Sequence, residues 1–301
     1  MTVGDVLDGA FKLLKANLST ILLIEIVFVG PGHIAVAYAQ RNVFGNGLAH
    51  LFTNPAAYRA DTQPQSGGQL ATQGLAVLFN LLILPFIAGA VSLIVSASYL
   101  GREMKAGAAL RATLRRFWAL LGAWFLVHLA ESLALGAGVA VGILVIALGT
   151  AASGAVRVLV ILSGVALVLA ALPLGVALMG LYVAVAPAIV VEELGPIEGL
   201  RRSWRLVRRR LWPVTGIAIL AGLMASVVSS ILGTAPQLAG YLIGSTYGWL
   251  LVAAGSVISN AIGLPIVAIV ATLLYFDARI RTEGFDLQVI AADLARGAAA
   301  P

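Results

Sequence analysis

Residues 195–232 read GPIEGLRRSWRLVRRRLWPVTGIAILAGLMASVVSSIL, and this stretch shows what kind of protein the chain forms. Its first half places Leu200, Trp204 and Val207 on one helical face and a series of arginines on the opposite face. Its second half is an apolar run of the length, about 20 residues, that a helix needs to cross a bilayer. The pattern predicts an amphipathic helix at a membrane interface that leads directly into a transmembrane helix.

The composition of the whole chain agrees with a membrane protein. Of its 301 residues, 60% are hydrophobic and only 11% are charged, and the mean hydropathy is +1.01. A soluble domain has about 25% charged residues, and one of this size could not bury so much apolar surface. The composition excludes a soluble enzyme, a disordered chain and a secreted disulfide scaffold. The chain contains no cysteine, which excludes disulfides and thiolate metal sites.

Six apolar runs are long enough to cross a bilayer as helices. They cover residues 18–40, 75–100, 117–148, 156–191, 212–232 and 249–276. None of the runs alternates apolar and polar residues as a barrel strand would. We therefore predict an all-α integral membrane protein with six transmembrane helices. Kinks or helix ends are expected at five prolines within these runs, namely Pro31, Pro85, Pro173, Pro187 and Pro265.

The charges between the runs predict the orientation in the membrane. All but three of the 19 Lys and Arg residues fall on one side of the six spans, and the exceptions are Arg41, Arg59 and Arg157. Such a bias predicts that this side and both termini face the cytoplasm of a bacterial inner membrane. An alternative is a signal peptide cleaved after Ala39, which would leave the rest of the topology unchanged. Glu25 interrupts the apolar region of that signal and argues against it.

Similar interface segments precede the first, third and fifth spans. Phe11, Leu110 and Trp204 occupy one register, and each is followed by a basic residue. We therefore expect a single membrane domain, residues 1–301, built from three repeats at about 1–100, 101–193 and 194–280, with a cytoplasmic tail at 281–301. Each repeat would consist of an amphipathic interface helix and a transmembrane hairpin. All three repeats enter from the same side, so the repeat is parallel.

The basic residues of the interface segments are expected to contact anionic lipid headgroups, at about 1 kcal/mol for each residue near the surface. The predicted inner-leaflet surface consists of Arg111, Arg115, Arg116, Arg201, Arg202, Arg205, Arg208 and Arg209. It either anchors and orients the protein or forms a docking surface for a cytoplasmic partner or a lipid headgroup. Nucleic acid is not an expected partner, because the basic segments are short and lie at the membrane.

Polar residues within the spans are the candidates for a functional site, because charge inside a bilayer is costly. Glu25 lies in the first span and Asn80 in the second, whereas His128 and Glu131 share one face of the third. Brought together, they would form a proton-linked or cation-binding site. The alternative is a set of satisfied contacts between helices, each of which contributes about 0.6 kcal/mol.

Several other chemistries have no sequence support. The chain has no Walker A loop, dinucleotide fingerprint or nucleophile elbow, and its one His-x-x-Glu pair falls short of a di-iron motif. We therefore predict no catalytic residues, metal or cofactor. Gly138 and Gly142 form a GxxxG pattern that would let a neighbouring helix approach closely. The segment 41–72 is predicted to be the largest outer loop.

Two segments resemble a known family. Residues 4–11, GDVLDGAF, and 195–207, GPIEGLRRSWRLV, are similar to segments of bacterial, chiefly actinobacterial, multi-pass proteins that are glycerophosphoryl diester phosphodiesterase membrane-domain-like. In enzymes that carry this domain, catalysis belongs to a separate soluble barrel with paired histidines and metal-binding carboxylates. That barrel is absent here, and none of the three histidines is followed by the arginine of its motif. The resemblance thus implies a stand-alone membrane component without phosphodiesterase activity.

These observations favour a non-enzymatic multi-pass membrane component that scaffolds or regulates a partner at the inner membrane. Its expected contacts are the lipid bilayer, anionic headgroups and a membrane or cytoplasmic protein. The alternative is a transporter or lipid-handling protein that uses Glu25, His128 and Glu131. An intramembrane hydrolase is the least favoured, because no nucleophile–base pair is visible in the sequence.

Overall fold

The structure is a computed structural model. It describes residues 3–41, 48–56, 66–244, 246–285 and 287. Within these ranges the chain is almost entirely helical and contains no strand. The helices are α1 (Val3–Ala16), α2 (Leu18–Phe28), α3 (Gly30–Ala39), α4 (Ala49–Thr53), α5 (Gly67–Tyr99), α6 (Ala106–Arg115), α7 (Phe117–Thr150), α8 (Gly154–Tyr182), α9 (Val185–Val191), α10 (Pro196–Val207), α11 (Leu211–Ile243) and α12 (Gly248–Glu283). A 3₁₀ turn, Arg208–Arg210, joins α10 to α11.

The predicted all-α membrane protein is confirmed. Five helical segments are long and apolar enough to span a membrane, and α2 with α3 forms a sixth if the two are counted as one bent span. The axes of α2 and α3 differ by 42°, so the first predicted span is broken. Pro31 causes the break, because it has no N–H to donate to the carbonyl of Val27.

The fourth predicted span, residues 156–191, is also interrupted, between Tyr182 and Val185. Pro187 accounts for the interruption in the same way, since it has no N–H for the carbonyl of Val183. The other three predicted kink positions, Pro85, Pro173 and Pro265, lie inside continuous helices. A proline in an apolar run therefore ended a helix at two of the five predicted positions.

The predicted outer loop 41–72 is too long at its C-terminal end, because α5 begins at Gly67. A capping box starts this helix: the Gln69 N–H donates to Ser66 Oγ at 3.3 Å, and the Ser66 N–H donates to Gln69 Oε1 at 2.9 Å. The first turns of α5 are polar, so hydropathy alone does not reveal them. The short helix α4 lies in the same segment.

The three predicted interface segments form separate helices, α1, α6 and α10. Each stops just before a long apolar segment, at Asn17, Arg116 or the 3₁₀ turn. In the register predicted from the sequence, the equivalent residues Ala10, Ala109 and Ser203 are all buried. The residues four positions later, Leu14, Thr113 and Val207, are buried as well. Each helix therefore packs one face of small or apolar residues against protein.

The three predicted repeats end in the same backbone conformation. Gly101, Glu193 and Gly284 follow the last turn of the second, fourth and sixth spans, and their φ angles are 70°, 56° and 61°. After the first two of these residues, the next N–H donates to the carbonyl five residues earlier, at 2.8 and 3.1 Å. This left-handed cap is usually formed by glycine, so Glu193 adopts it at a cost of about 1 kcal/mol. The threefold repeat itself stays a prediction.

The described contacts divide the chain into two compact units. Unit 1 comprises Met1–Phe117 and Ile219–Leu273, and unit 2 comprises Trp118–Ala218 and Leu274–Pro301. In unit 1, α5 and α12 are the most buried of the spans. The Thr272 hydroxyl donates to Ser92 Oγ between them at 3.0 Å, in a core of aliphatic side chains.

In unit 2, α7 and α8 form a hairpin that touches through small residues. Gly138 faces Ala171, and Gly142 faces Gly164. A Cβ atom added at Gly142 would lie 2.8 Å from the Gly164 carbonyl oxygen, so the predicted GxxxG pattern does mark a close helix approach. Elsewhere these two helices are mostly exposed and apolar, as a lipid-facing hairpin would be.

Candidate functional site

A cluster of charged and hydroxyl side chains lies in unit 2, beside the ends of α9 and α12. We call Glu192, Arg202, Tyr275, Arg279 and Glu283 the polar cluster. Arg202 Nε donates to both oxygens of Glu192, at 2.7 and 2.9 Å. The other two guanidinium nitrogens of Arg202 donate to Glu283, with Nη2 at 2.8 Å from Oε2. Arg202 thus ties the chain after α9 to the last turn of α12.

The second arginine of the polar cluster closes the network. Arg279 Nη1 donates to the Tyr275 hydroxyl at 3.2 Å, and that hydroxyl donates to Glu192 Oε1 at 2.6 Å. Arg279 Nε donates to Glu283 Oε2 at 3.3 Å. Two guanidinium groups therefore balance two carboxylates, and every charge has a partner within hydrogen-bond distance. Such a network holds a helix in place.

The electrostatics of the polar cluster follow from these bonds. The apolar part of α12 ends at Phe276, and Glu283 lies two turns beyond it. The hydrogen bond from Arg202 holds the pKa of the Glu283 carboxyl below its ordinary range. The same bond raises the pKa of Arg202, so both groups stay charged at neutral pH.

Sequence reasoning assigned Arg202 to the inner-leaflet basic surface, but the structure places it in the polar cluster. Its side chain is only 13% exposed. The other members of the cluster were not singled out from the sequence. The available signal was that Glu192 directly follows the fourth predicted span and that Glu283 lies seven residues after the sixth.

The other arginines of α10 and the 3₁₀ turn are exposed. Arg201, Arg205, Arg208 and Arg209 have no carboxylate partner among the described residues. Arg201 and Arg205 line an open cleft of about 860 Å³ with Trp204, which is 43% exposed. The remaining wall of the cleft is formed by Tyr182, Glu192, Leu194, Glu198, Leu200 and Arg202.

The two carboxylates that line this cleft are already engaged. Glu192 belongs to the polar cluster, and Glu198 Oε2 accepts a hydrogen bond of 3.0 Å from the Gly195 N–H at the start of α10. Arg201 and Arg205 are therefore the charged groups that the cleft offers to a ligand. Two neighbouring guanidinium groups suit an anion such as a phosphodiester.

The basic residues of α6 belong to unit 1. Arg111 and Arg115 are exposed, and no ion pair is formed by either within the described ranges. Arg116 is half-buried at the end of the helix. Leu114 and Trp118, beside them in sequence, are 63% and 78% exposed, as side chains at a lipid surface would be.

The four polar residues predicted within the spans fall into two pairs. Glu25 and Asn80 belong to unit 1, and His128 and Glu131 belong to unit 2. Glu25 is 1% exposed, and neither of its carboxyl oxygens has a hydrogen-bond partner in the part of the chain that the structure describes. Asn80 Nδ2 donates to the Ala76 carbonyl at 2.9 Å.

In contrast to Glu25, His128 is exposed. Its Nδ1 lies 2.9 Å from the Trp124 carbonyl oxygen, and its ring packs on the Trp124 ring with centroids 4.3 Å apart. Glu131 is half-buried. Among the residues that the structure describes, no three His, Asp or Glu side chains come together in a way that could hold a metal ion.

Comparison with known proteins yields one family. No curated protein and no solved structure matches the chain. One family model matches residues 1–280, and its description is "Domain of unknown function (DUF7847)". This match covers most of both units, the polar cluster up to Arg279, and the helices α1, α6 and α10. The chain belongs to the DUF7847 family.

Proposed function

We propose that the protein is a non-enzymatic component of the bacterial inner membrane that binds anionic lipid headgroups and scaffolds or regulates a protein partner. The observation that carries this proposal is the cleft in unit 2. There, Arg201 and Arg205 are exposed beside the exposed ring of Trp204, and no carboxylate of the described residues pairs with them. Arginine with tryptophan is the pair that membrane interfaces favour.

The polar cluster supports the same function indirectly. Because Arg202 is tied to Glu192 and Glu283, the helix that carries Arg201 and Arg205 has a fixed rotation. A cleft whose charges are held in place loses less entropy on binding than a mobile basic tail would. The polar cluster therefore orients the cleft and is not itself the lipid contact.

Lipid binding can be measured on the purified full chain in a mild detergent, titrated with phosphatidylglycerol or with zwitterionic phosphatidylcholine. Bound lipids are counted by native mass spectrometry. At about 1 kcal/mol per basic residue, the double variant Arg201→Gln/Arg205→Gln should bind phosphatidylglycerol roughly 30-fold more weakly. Binding of phosphatidylcholine should not change.

The matched control is Arg157→Gln, which removes an exposed arginine outside the cleft. This variant should bind phosphatidylglycerol as the unmodified chain does. A free-energy loss in the control half as large as in the double variant would mean that net charge, not the cleft, sets the affinity, because the control removes one charge and the double variant two. No loss in the double variant would refute the lipid-binding proposal.

The partner is sought by purifying the tagged protein from its native membrane and identifying co-purified proteins by mass spectrometry. A stoichiometric protein partner is the result expected of a scaffold. A small molecule or lipid without any protein would instead favour transport or lipid handling. The predicted orientation, with both termini in the cytoplasm, is tested separately. A reporter fused after Pro301 should be active only in the cytoplasm.

The resemblance to glycerophosphoryl diester phosphodiesterase membrane-domain-like proteins is part of this proposal. It supports a role as a membrane component and carries no catalytic residue to this chain. The alternative function, a transporter that uses Glu25, His128 and Glu131, is favoured by one observation, the complete burial of Glu25. Replacing these three residues should abolish transport and spare a scaffold.

A further inference from the structure

Glu25 is a buried acidic side chain that takes no part in the proposed lipid binding. It is 1% exposed inside unit 1, so it is covered by protein and not merely placed at lipid depth. Its two oxygens accept no hydrogen bond within the described residues. An ionised carboxylate in such a place costs several kcal/mol unless a positive charge or hydrogen-bond donors compensate it.

The helices around Glu25 supply no such charge. α2 packs on α1, α3, α5 and α6. α5 has no acidic or basic residue, and the titratable side chains of α3 are His33, half-buried and two turns away, and Tyr38. The charged residues within α1 and α6 are exposed, whereas Arg116, directly after α6, is half-buried and makes no hydrogen bond to Glu25. The exposed ones are Asp5, Asp8, Lys12, Lys15, Arg111 and Arg115.

Two contacts show what lies opposite Glu25. At one end of α2, Asn17 Nδ2 donates to Ser98 Oγ at 3.1 Å. At the other end, the rings of Phe28 and Phe86 lie 5.7 Å apart. The two helices therefore run antiparallel, and Glu25 falls opposite the small residues of α5 that precede Ser92. These residues carry no charge that could balance a carboxylate.

The other unpartnered oxygens of this region are too far away to complete a metal site. Asn80 contacts Gly32, seven residues after Glu25 and thus about 10 Å farther along the span. Ser96 lies near the level of Asn17, about 10 Å in the opposite direction. A sodium or divalent ion needs several oxygens within one coordination shell. Within the described residues, neither the Asn80 nor the Ser96 oxygen lies close enough to share an ion with the Glu25 carboxyl.

We propose that Glu25 is a proton-binding site within the membrane domain, whose carboxyl carries a proton in the native state. On release, the O–H bond breaks, the proton passes to water that has entered, and the carboxylate remains. The residue lies one turn before the break at Val29, whose N–H donates to the Glu25 carbonyl at 2.8 Å. Release therefore requires local opening of the protein around the carboxyl group, because Glu25 and Val29 are both buried.

The proton is observed directly by infrared spectroscopy of the full chain in lipid nanodiscs. A protonated carboxyl absorbs apart from the amide and carboxylate bands. We expect such a band at neutral pH in the unmodified protein and in Glu131→Gln, and its absence in Glu25→Gln. A spectrum without the band at neutral pH, or a band that persists in Glu25→Gln, would overturn the proposal.

A second measurement does not depend on the folding of a variant. In the unmodified protein, transfer to heavy water should shift the carboxyl band slowly, because the group is covered by protein. Immediate exchange would show that water reaches the group freely and would contradict the buried proton site. The proton site is independent of the proposed lipid binding, since the Arg201→Gln/Arg205→Gln variant should keep the carboxyl band whether or not it binds lipid.

Discussion

Replacing Arg202 with glutamine should destabilise the protein more than replacing any exposed arginine. Arg202 makes hydrogen bonds to both oxygens of Glu192 and of Glu283, and its side chain is 13% exposed. Without it, the two carboxylates must share Arg279. That residue lies 3.7 Å from Glu192 and 3.3 Å from Glu283.

The expected cost follows from the exposure of the three groups. Removing one partner of a fully buried ion pair costs about 3–5 kcal/mol, whereas an exposed pair contributes about 0–1 kcal/mol. Glu192 and Glu283 are 20% and 28% exposed, and Arg279 remains as a partner. We therefore expect Arg202→Gln to lower the free energy of unfolding by about 2 kcal/mol.

The assay is unfolding in mixed micelles, followed by tryptophan fluorescence, for Arg202→Gln, Glu283→Gln and the double variant. The coupling energy between the two residues should exceed about 1 kcal/mol in this cycle. The control is Arg281→Gln, which removes an i,i+4 pair with Asp277 from a side chain that is 43% exposed. It should cost about 0.5 kcal/mol.

Two results would refute this reasoning. Equal costs for Arg202→Gln and Arg281→Gln would mean that the polar cluster behaves as a solvated surface. A coupling energy near zero would mean that the bonds from Arg202 to Glu283 contribute nothing measurable to stability.

Two further predictions concern helix packing and pH. Gly142→Ala should lower the free energy of unfolding by about 1–3 kcal/mol, because the added Cβ would lie 2.8 Å from the Gly164 carbonyl oxygen. The control Gly216→Ala should leave this free energy unchanged, because nothing lies within 4 Å of the added Cβ. Equal unfolding midpoints for the two variants would exclude the close approach of α7 and α8. The pKa of Glu283 is lower in the folded protein than the roughly 4.3 of an unfolded glutamate, so its stabilisation is complete above that pH and is lost on acidification through the folded pKa. Unfolding measured against pH should therefore show a smaller acid-induced loss in Glu283→Gln than in the unmodified chain, and identical slopes would contradict the assigned ion pair.

Hydropathy and period predicted the helical elements well. A run of about 20 apolar residues in a bilayer must satisfy its own backbone hydrogen bonds, and the helix is the simplest way to do so. The separate helices α1, α6 and α10 could also be predicted, because a period of 3.6 residues separates their apolar and polar faces, whereas their place at the membrane interface stays a prediction. The extent of α5 was missed, because its first turns depend on the capping box of Ser66 and not on apolar residues.

The sequence was less informative about which side chains act together. Glu25, Asn80, His128 and Glu131 were grouped because all are polar and lie within predicted spans. The structure places the first two in one compact unit and the last two in the other. Position along a span constrains depth in the membrane, but the direction and the neighbours of a side chain depend on how helices rotate and pack.

The arginines of α10 show which properties the sequence decides and which the tertiary structure decides. The sequence alone determined that this helix is amphipathic, basic and joined to a span, because these properties depend on residues close together in the chain. Only the tertiary structure decided that Arg202 is paired while Arg201 and Arg205 are exposed. Glu283, the residue that makes this difference, lies 81 positions away from Arg202 along the chain, and such a contact follows from packing, which no local pattern records.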